Sequence, residues 1–225
     1  MDVLNTNIER YLKISGRELN QFLEEYNVAK VVDLKLSDLQ QFCLKENLDL
    51  VNLMSYSMFV DQSKLQSIQL LILDVDGVMT DAGMYFTENG DQIKKYNAKD
   101  GMAIRALDKF GIQVGIISSG FKLEVVKARA DLLKIEHLYV GRDPKMEILT
   151  NWCEKLGISF DEVGIIGDDI NDLDVMKNVG FSASPADAVP VVKEHVDLVL
   201  QKKGGEGCVR EFIDYYLLKE PLCEK

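Results

Sequence analysis

The chain has 225 residues, of which 47% are hydrophobic and 28% charged, and it carries a formal net charge of −11. That length suits one substantial domain plus an extra segment, and that apolar fraction suits a packed core. The negative balance argues against nucleic acid or an anionic membrane as a general partner, since both recruit Lys and Arg. It leaves room for a phosphate ligand, because a bound cation can reverse the field at one site.

No apolar run approaches the roughly 20 residues of a bilayer span. The start, Met1 to Thr6, lacks the basic residues and apolar core of a secretion signal. Cys43, Cys153, Cys208 and Cys223 are scattered with no CxxC pair. A cytoplasmic protein with reduced thiols is expected.

Residues 1–65 read as a small helical extension. Leu19, Phe22, Leu23 and Tyr26 have helical spacing, as do Leu39, Phe42 and Cys43. Ser37-Asp38-Leu39-Gln40 has the form of a capping box at a helix start. This segment has seven basic residues against ten acidic ones, the wrong balance for a DNA reader. The expectation is a docking or dimerisation element.

From residue 66 the pattern changes to short apolar strands alternating with helices. The strand runs are Leu70–Leu73, Gln113–Ile117, His137–Val140, Val163–Ile166 and Val196–Leu200. Asp143 and Pro144 read as the N-cap and first residue of a helix. Met146, Leu149, Trp152, Cys153 and Leu156 form its apolar face, and Gly157 ends it. Such alternation implies an α/β fold: a Rossmann-like parallel sheet with helices on both faces. Met84 to Tyr96 interrupts it with Asn89-Gly90 at its centre, which predicts a β-hairpin flap beside the first strand's carboxyl end. His137 and His195 are too isolated for a metal cluster.

The chemistry is concentrated at strand ends, where ligands bind in open α/β sheets. Asp74-Val75-Asp76-Gly77 follows the first strand, and Gly167-Asp168-Asp169-Ile170-Asn171-Asp172 follows the Val163–Ile166 strand. A single Asp is a common turn or cap residue. Two acid clusters, each abutting a strand end, point instead to a hard divalent cation that relieves their mutual repulsion. Ser118-Ser119-Gly120 follows another strand and offers a hydroxyl and backbone N–H groups to a phosphate. Lys145 sits in the first turn of a predicted helix.

In this order and spacing the four elements resemble the motifs of the haloacid dehalogenase superfamily of phosphohydrolases, over residues 68–215. The resemblance implies Mg²⁺ as cofactor and a role for each position. Asp74 would be the nucleophile that forms an aspartyl-phosphate, and Asp76 the acid and base. Asp74, the backbone carbonyl of Asp76, and Asp168 would hold the metal, with Asp169 and Asp172 supporting that shell. Ser118 and Lys145 would bind the transferring phosphoryl group.

Neither the stretch from Asp81 to Ile116 nor that from Ser118 to Lys145 has room for a cap domain. The finer text resembles a capless group, the 3-deoxy-sugar-acid phosphatases. The matching residues are Asp74 to Tyr85, the Asn89-Gly90 flap, Tyr96-Asn97-Ala98-Lys99-Asp100-Gly101, and Gly204-Gly205-Glu206-Gly207-Cys208-Val209-Arg210-Glu211. That likeness implies a small phosphorylated sugar acid as substrate, carrying eight or nine carbons, and a homotetramer in which a neighbour's flap and glycine-rich tail complete each site. It implies Thr80, Lys99, Ser119, Gly120, Arg129, Gly204 and Gly205 as substrate-side residues. Ser119-Gly120-Phe121 departs from the group's pattern by one extra residue, leaving open whether Ser118 or Ser119 supplies the hydroxyl. The first 65 residues are not part of that pattern; they are expected to bind a protein or aid oligomerisation. The competing expectations are a catalytically quiet scaffolding subunit of sugar-acid metabolism, and a phosphatase of another small phosphate.

Overall fold

Apolar residues at helical spacing build the first part of the chain in the computed structural model, which describes residues 3–55, 57–90, 92–120 and 122–218. Cys223 and Phe121 lie outside these. Two compact units are formed, Met1–Val60 and Asp61–Lys225. The first contains α1 (Val3–Ile14), α2 (Leu19–Glu25), α3 (Leu36–Glu46) and α4 (Leu50–Ser55). Ile8, Leu12, Phe22, Leu39, Phe42 and Leu53 meet in its core. The Phe22 and Phe42 rings pack edge to face with centroids 5.1 Å apart, a favoured aromatic geometry. Buried Asn7 ties this core together, donating to the Leu53 carbonyl at 2.8 Å and accepting from the Met58 N–H at 2.9 Å. The α3 start differs from expectation. The helix begins at Leu36, and it is Asp38 that accepts from the Lys35 N–H at 3.0 Å. Lys35 has no side-chain oxygen to return the bond, so only the carboxylate half of a capping box exists.

The second unit opens with α5 (Gln62–Gln66), capped by Asp61, which accepts from the Ser63 N–H. Residues 61–65, grouped with the extension in the sequence reading, thus lie in this unit. Then come β1 (Leu70–Leu73), β2 (Tyr85–Phe86), β3 (Gln92–Ile93), α6 (Ala98–Ala106), β4 (Gln113–Ser118), α7 (Leu123–Leu133), β5 (His137–Val140) and α8 (Lys145–Leu156). The chain continues through β6 (Val163–Ile166), α9 (Leu173–Met176), β7 (Phe181–Ser184), α10 (Pro190–Lys193), β8 (Leu198–Val199) and α11 (Cys208–Glu211). Six strands form one parallel sheet in the order β5-β4-β1-β6-β7-β8.

All four β1 residues are buried, as the central strand of a sheet covered on both faces requires. Leu73, at its end, pairs with Ile116 of β4 on one side and Ile166 of β6 on the other. This register brings the residues after β1, β4 and β6 to one edge. On one face Leu149 and Cys153 of α8 are buried against Leu70, Ile72 and Ile165, with Trp152 packed on the cluster. Gly157 ends α8 in the left-handed conformation. The helix starts one residue later than expected, at Lys145 with Pro144 as N-cap, because the Asp143 carboxylate is engaged by the Tyr139 hydroxyl at 2.7 Å.

Strand β7 was not legible in the sequence. Its Ser182 and Ser184 interrupt the apolar pattern, yet both are buried. Ser182 is matched by Asp197, which accepts from its N–H and its hydroxyl. Strand β8 is shorter than the expected Val196–Leu200 run.

The hairpin stands where it was expected, between β1 and α6. Tyr85 pairs with Ile93 and Phe86 with Gln92, and Gly90 takes φ +78 at the turn. Among the described residues only this flap, α6 and a 3-10 turn at Leu107–Phe110 lie between Asp81 and β4, and only α7 and β5 lie between β4 and α8. No cap domain among the described residues covers the edge.

Candidate active site

The carboxyl ends of β1 and β6 carry the acids, and that of β4 carries Ser118. Asp74 follows β1, and its N–H donates to the Ile166 carbonyl at 3.1 Å, which locks it against β6. Asp168 and Asp172 follow β6, Asp172 being wholly buried. Carboxylate oxygens of Asp74, Asp168 and Asp172 lie within 4.8 Å of one another. Lys145, in the first turn of α8, reaches into the cluster. Its ammonium donates to Asp74 Oδ1 at 2.5 Å and to Asp172 Oδ1 at 2.6 Å. Asp172 Oδ2 also accepts from the Asp168 N–H at 3.2 Å, which ties the second acid cluster to the lysine.

The turn after Asp74 is shaped by glycine. Gly77 has φ +95, and a Cβ there would fall 2.1 Å from Asp168 Oδ2. Only glycine allows the turn to lie against that carboxylate. Asp76, half-buried, projects from this turn and pairs with the Lys94 ammonium.

Burial raises both outer acids. Loss of water pushes the Asp74 carboxyl up to about 8, helped by Asp172 and opposed by Lys145. The same cause, with Asp172 and Asp169 adding to it, takes Asp168 up to about 7. Lys145 is drawn down by burial, but Asp74 and Asp172 outweigh this and raise it. Three carboxylates facing one ammonium leave two negative charges uncompensated when all are ionised. This donor set fits a hard divalent cation. Mg²⁺ takes a few carboxylate oxygens and keeps positions for water and phosphate.

A cleft of about 260 Å³ opens over these groups. It is lined by Asp74, Asp76, Ser118, Ser119, Gly120, Asp168 and Asp169, all expected from the sequence. Ser118 is buried at the end of β4, and its Oγ accepts from the Gly120 N–H at 3.1 Å. Ser119 Oγ accepts from Asn171 at 3.1 Å. Lys94, Asn171 and the flap residues Met84 and Gln92 also line the cleft. Sequence reasoning missed them. Lys94 had no motif to mark it, and only the fold of the flap brings its nearly buried side chain to Asp76.

Five expected substrate-side residues stand elsewhere in this chain. Thr80 is buried, its hydroxyl donating to the Val75 carbonyl at 3.2 Å. Lys99 is exposed on α6. Arg129 lies over the Tyr96 ring at 5.3 Å and donates to the Asn97 carbonyl at 2.9 Å. Gly204 and Gly205 are not part of a tail free to reach a neighbour. They are buried beneath the chain's own Asp76–Gly77 turn, where a Cβ on Gly204 would fall 1.9 Å from the Gly77 carbonyl oxygen. Their lack of side chains serves that close approach.

A family model described as haloacid dehalogenase-like hydrolase matches residues 95–180. Over 158 residues the chain is 41% identical to the 3-deoxy-D-manno-octulosonate 8-phosphate phosphatase KdsC of Escherichia coli K12, covering 70% of this chain and 84% of the relative. The crystal structure of the corresponding Yersinia pestis phosphatase is similar at 38% identity and TM-score 0.67, covering 70% of this chain and 85% of that one. The Moraxella catarrhalis phosphatase, solved with magnesium ion, phosphate ion and KDO, is similar at 31% identity and TM-score 0.68, covering 71% and 91%.

The raised carboxyls give the site a testable pH signature. A cation entering the cluster displaces protons held by Asp74 and Asp168, so Mg²⁺ binding should tighten as pH rises through about 7 and about 8. Calorimetric titration in buffers of different ionisation enthalpy should show proton release that shrinks above that range. Affinity independent of pH would contradict this electrostatic description.

Proposed function

Since the chain belongs to the haloacid dehalogenase-like hydrolases and is a magnesium-dependent phosphatase of that family, we propose that its substrate is 3-deoxy-D-manno-octulosonate 8-phosphate and that Asp74 carries the phosphoryl group. The observation that carries the catalytic reading is the buried contact of Lys145 with Asp74 and Asp172 beside Asp168. The substrate assignment draws on the named activity of relatives whose matches cover 70% and 71% of this chain.

In the first step an Asp74 oxygen attacks phosphorus and the bond to the sugar oxygen breaks. Asp76 gives its proton to that leaving oxygen. In the second step water attacks the phosphorus, Asp76 takes the water proton, and the bond to Asp74 breaks to release phosphate. Splitting the reaction this way replaces one hard displacement with two easier ones. Asp76 needs no large movement, because the glycine turn holds it two residues from the nucleophile. Lys145 fixes the Asp74 carboxylate and, with Ser118 and backbone N–H groups after β4, meets the phosphoryl oxygens. Mg²⁺, held by Asp74, Asp168 and the Asp76 carbonyl, supplies charge neutralisation at those oxygens. Asp169 and Asp172 orient that shell.

The open cleft is completed in a homotetramer. Met84, Tyr85, Phe86 and Ile93 on the flap are each more than half exposed, and an isolated two-stranded hairpin is marginal in water. Buried free thiols at Cys43, Cys153 and Cys208 are consistent with a cytoplasmic setting, and no helix among the described residues is long and apolar enough to cross a membrane. Exposed Leu36, Leu44, Val51 and Met54 on the N-terminal unit suit a protein-docking role for it.

Steady-state phosphate release tests the substrate. The eight-carbon sugar acid 8-phosphate should exceed hexose phosphates by at least about 10²-fold in kcat/KM, and Asp74→Asn should fold yet lose at least about 10³-fold in kcat. Equal rates on all esters would remove the substrate assignment. Preference for a nine-carbon 9-phosphate would move it there, as the Ser119-Gly120 departure allows. Light scattering tests the assembly: Phe86→Glu should dissociate the tetramer while Leu44→Glu leaves it intact. A monomeric wild-type enzyme with full activity would contradict it.

A further inference from the structure

Asp100 is an enclosed acid outside the cleft, with 2% of its surface exposed. Its burial raises the carboxyl to about 6, against the opposing pull of the Arg210 N–H, Arg129 and Arg210. An acid so placed is tolerated where it satisfies a polar group that nothing else can reach. That group is the start of α11, which runs on into the helical turns of Phe212–Leu217. Gly207 precedes α11 with φ +103 and has no side chain with which to cap it. Asp100 Oδ1 instead accepts from the Arg210 N–H, the third of the helix, at 2.7 Å. A carboxylate is favoured at a helix start, and here another helix provides it.

The same turn of α6 grips the preceding glycines. Asn97 caps α6 by accepting from the Lys99 N–H at 2.8 Å, and its amide donates to the Gly205 carbonyl at 3.2 Å. Arg129 of α7 fixes this turn in place through the Asn97 carbonyl. Segment 204–210 is therefore held at both ends by the first turn of α6.

That segment supports the catalytic turn. The Gly205 N–H donates to the Val78 carbonyl at 3.0 Å, and Cys208 Sγ approaches the same oxygen at 3.3 Å. Gly204 lies flat against the Gly77 carbonyl. On its other side Gly77 is closed off by Asp168. Gly77 is thus wedged between a site carboxylate and the glycine segment at its carbonyl, so a shift in the segment must disturb the turn that carries Asp76.

We propose that Asp100 is a positioning residue for the phosphatase reaction: by capping α11 from α6 it seats Gly204 and Gly205 beneath the Asp76–Gly77 turn and fixes where Asp76 stands. The inference rests on the reading of Asp76 as the acid and base. Asp100 touches no reacting atom. It acts through two backbone contacts, and its loss should misplace Asp76 without removing any group that binds phosphate.

The full chain with saturating Mg²⁺ and 4-nitrophenyl phosphate, which does not presuppose the natural substrate, gives the test. Asp100→Ala should lower kcat by about tenfold or more with KM within about twofold, the pattern of a misplaced catalytic group. Asp100→Asn, which retains an acceptor oxygen, should return kcat to within about threefold of wild type. Asn97→Asp keeps the α6 cap but loses the donor to Gly205, and kcat should fall in the same direction; it decides the matter if Asp100→Ala does not fold. Wild-type kcat in folded Asp100→Ala or in Asn97→Asp, or a loss confined to KM, would overturn the proposal. Asp76→Ala, measured alongside, separates the two readings. If that change leaves kcat intact, the assignment of Asp76 has failed, whatever Asp100 does.

Discussion

One ammonium holds the site together. Lys145 reaches from the start of α8 to bridge Asp74, after β1, and Asp172, after β6. Both acids are almost completely enclosed, where an unpaired charge is very costly. Removing the lysine would leave two buried carboxylates uncompensated, a loss on the order of 3–5 kcal/mol for such a pair. The bridge is therefore a structural constraint and an electrostatic one. It fixes the proposed nucleophile, and it leaves a net negative charge that calls for a divalent cation.

The rest of the catalytic unit serves that arrangement. Parallel pairing of β1 with β4 and β6 brings three strand ends together. Four small backbone positions then let the loops close on one another: Gly77 against Asp168, Gly167 against Asp172, Gly204 against Gly77, and Gly205 against Asp81. Side chains at Gly77 and Gly167 would collide with the carboxylates, and side chains at Gly204 and Gly205 with the backbone of the turn. The absence of a cap among the described residues leaves the cleft open beside an exposed apolar flap.

The acids of the cleft were legible because their chemistry and position coincide. Asp74, Asp76 and Asp168 follow apolar runs whose length and composition announce strands, and the sheet brings them together as the sequence implied. Lys145 was legible only through its resemblance to a known pattern, since a lysine on a helix is usually solvated. Lys94 was not legible, because nothing local distinguishes it from Lys95, which instead is exposed and pairs with Asp81. The sequence pattern suggested that the glycine segment is a tail that helps complete a neighbour's site. Its burial depends on contacts more than a hundred residues apart in the chain, which local pattern does not carry. Strand β7 was hidden by serines whose partner, Asp197, lies fifteen residues downstream.

The central claim is that phosphoryl transfer proceeds through Asp74. Rapid acid quenching of a single turnover with ³²P-labelled substrate, followed by proteolysis and peptide mapping, tests it directly. Label should appear transiently on the peptide containing Asp74, be released by hydroxylamine as an acyl phosphate is, and be absent from Asp74→Asn. Turnover with no labelled peptide at any time, or label on a peptide lacking Asp74, would contradict that assignment.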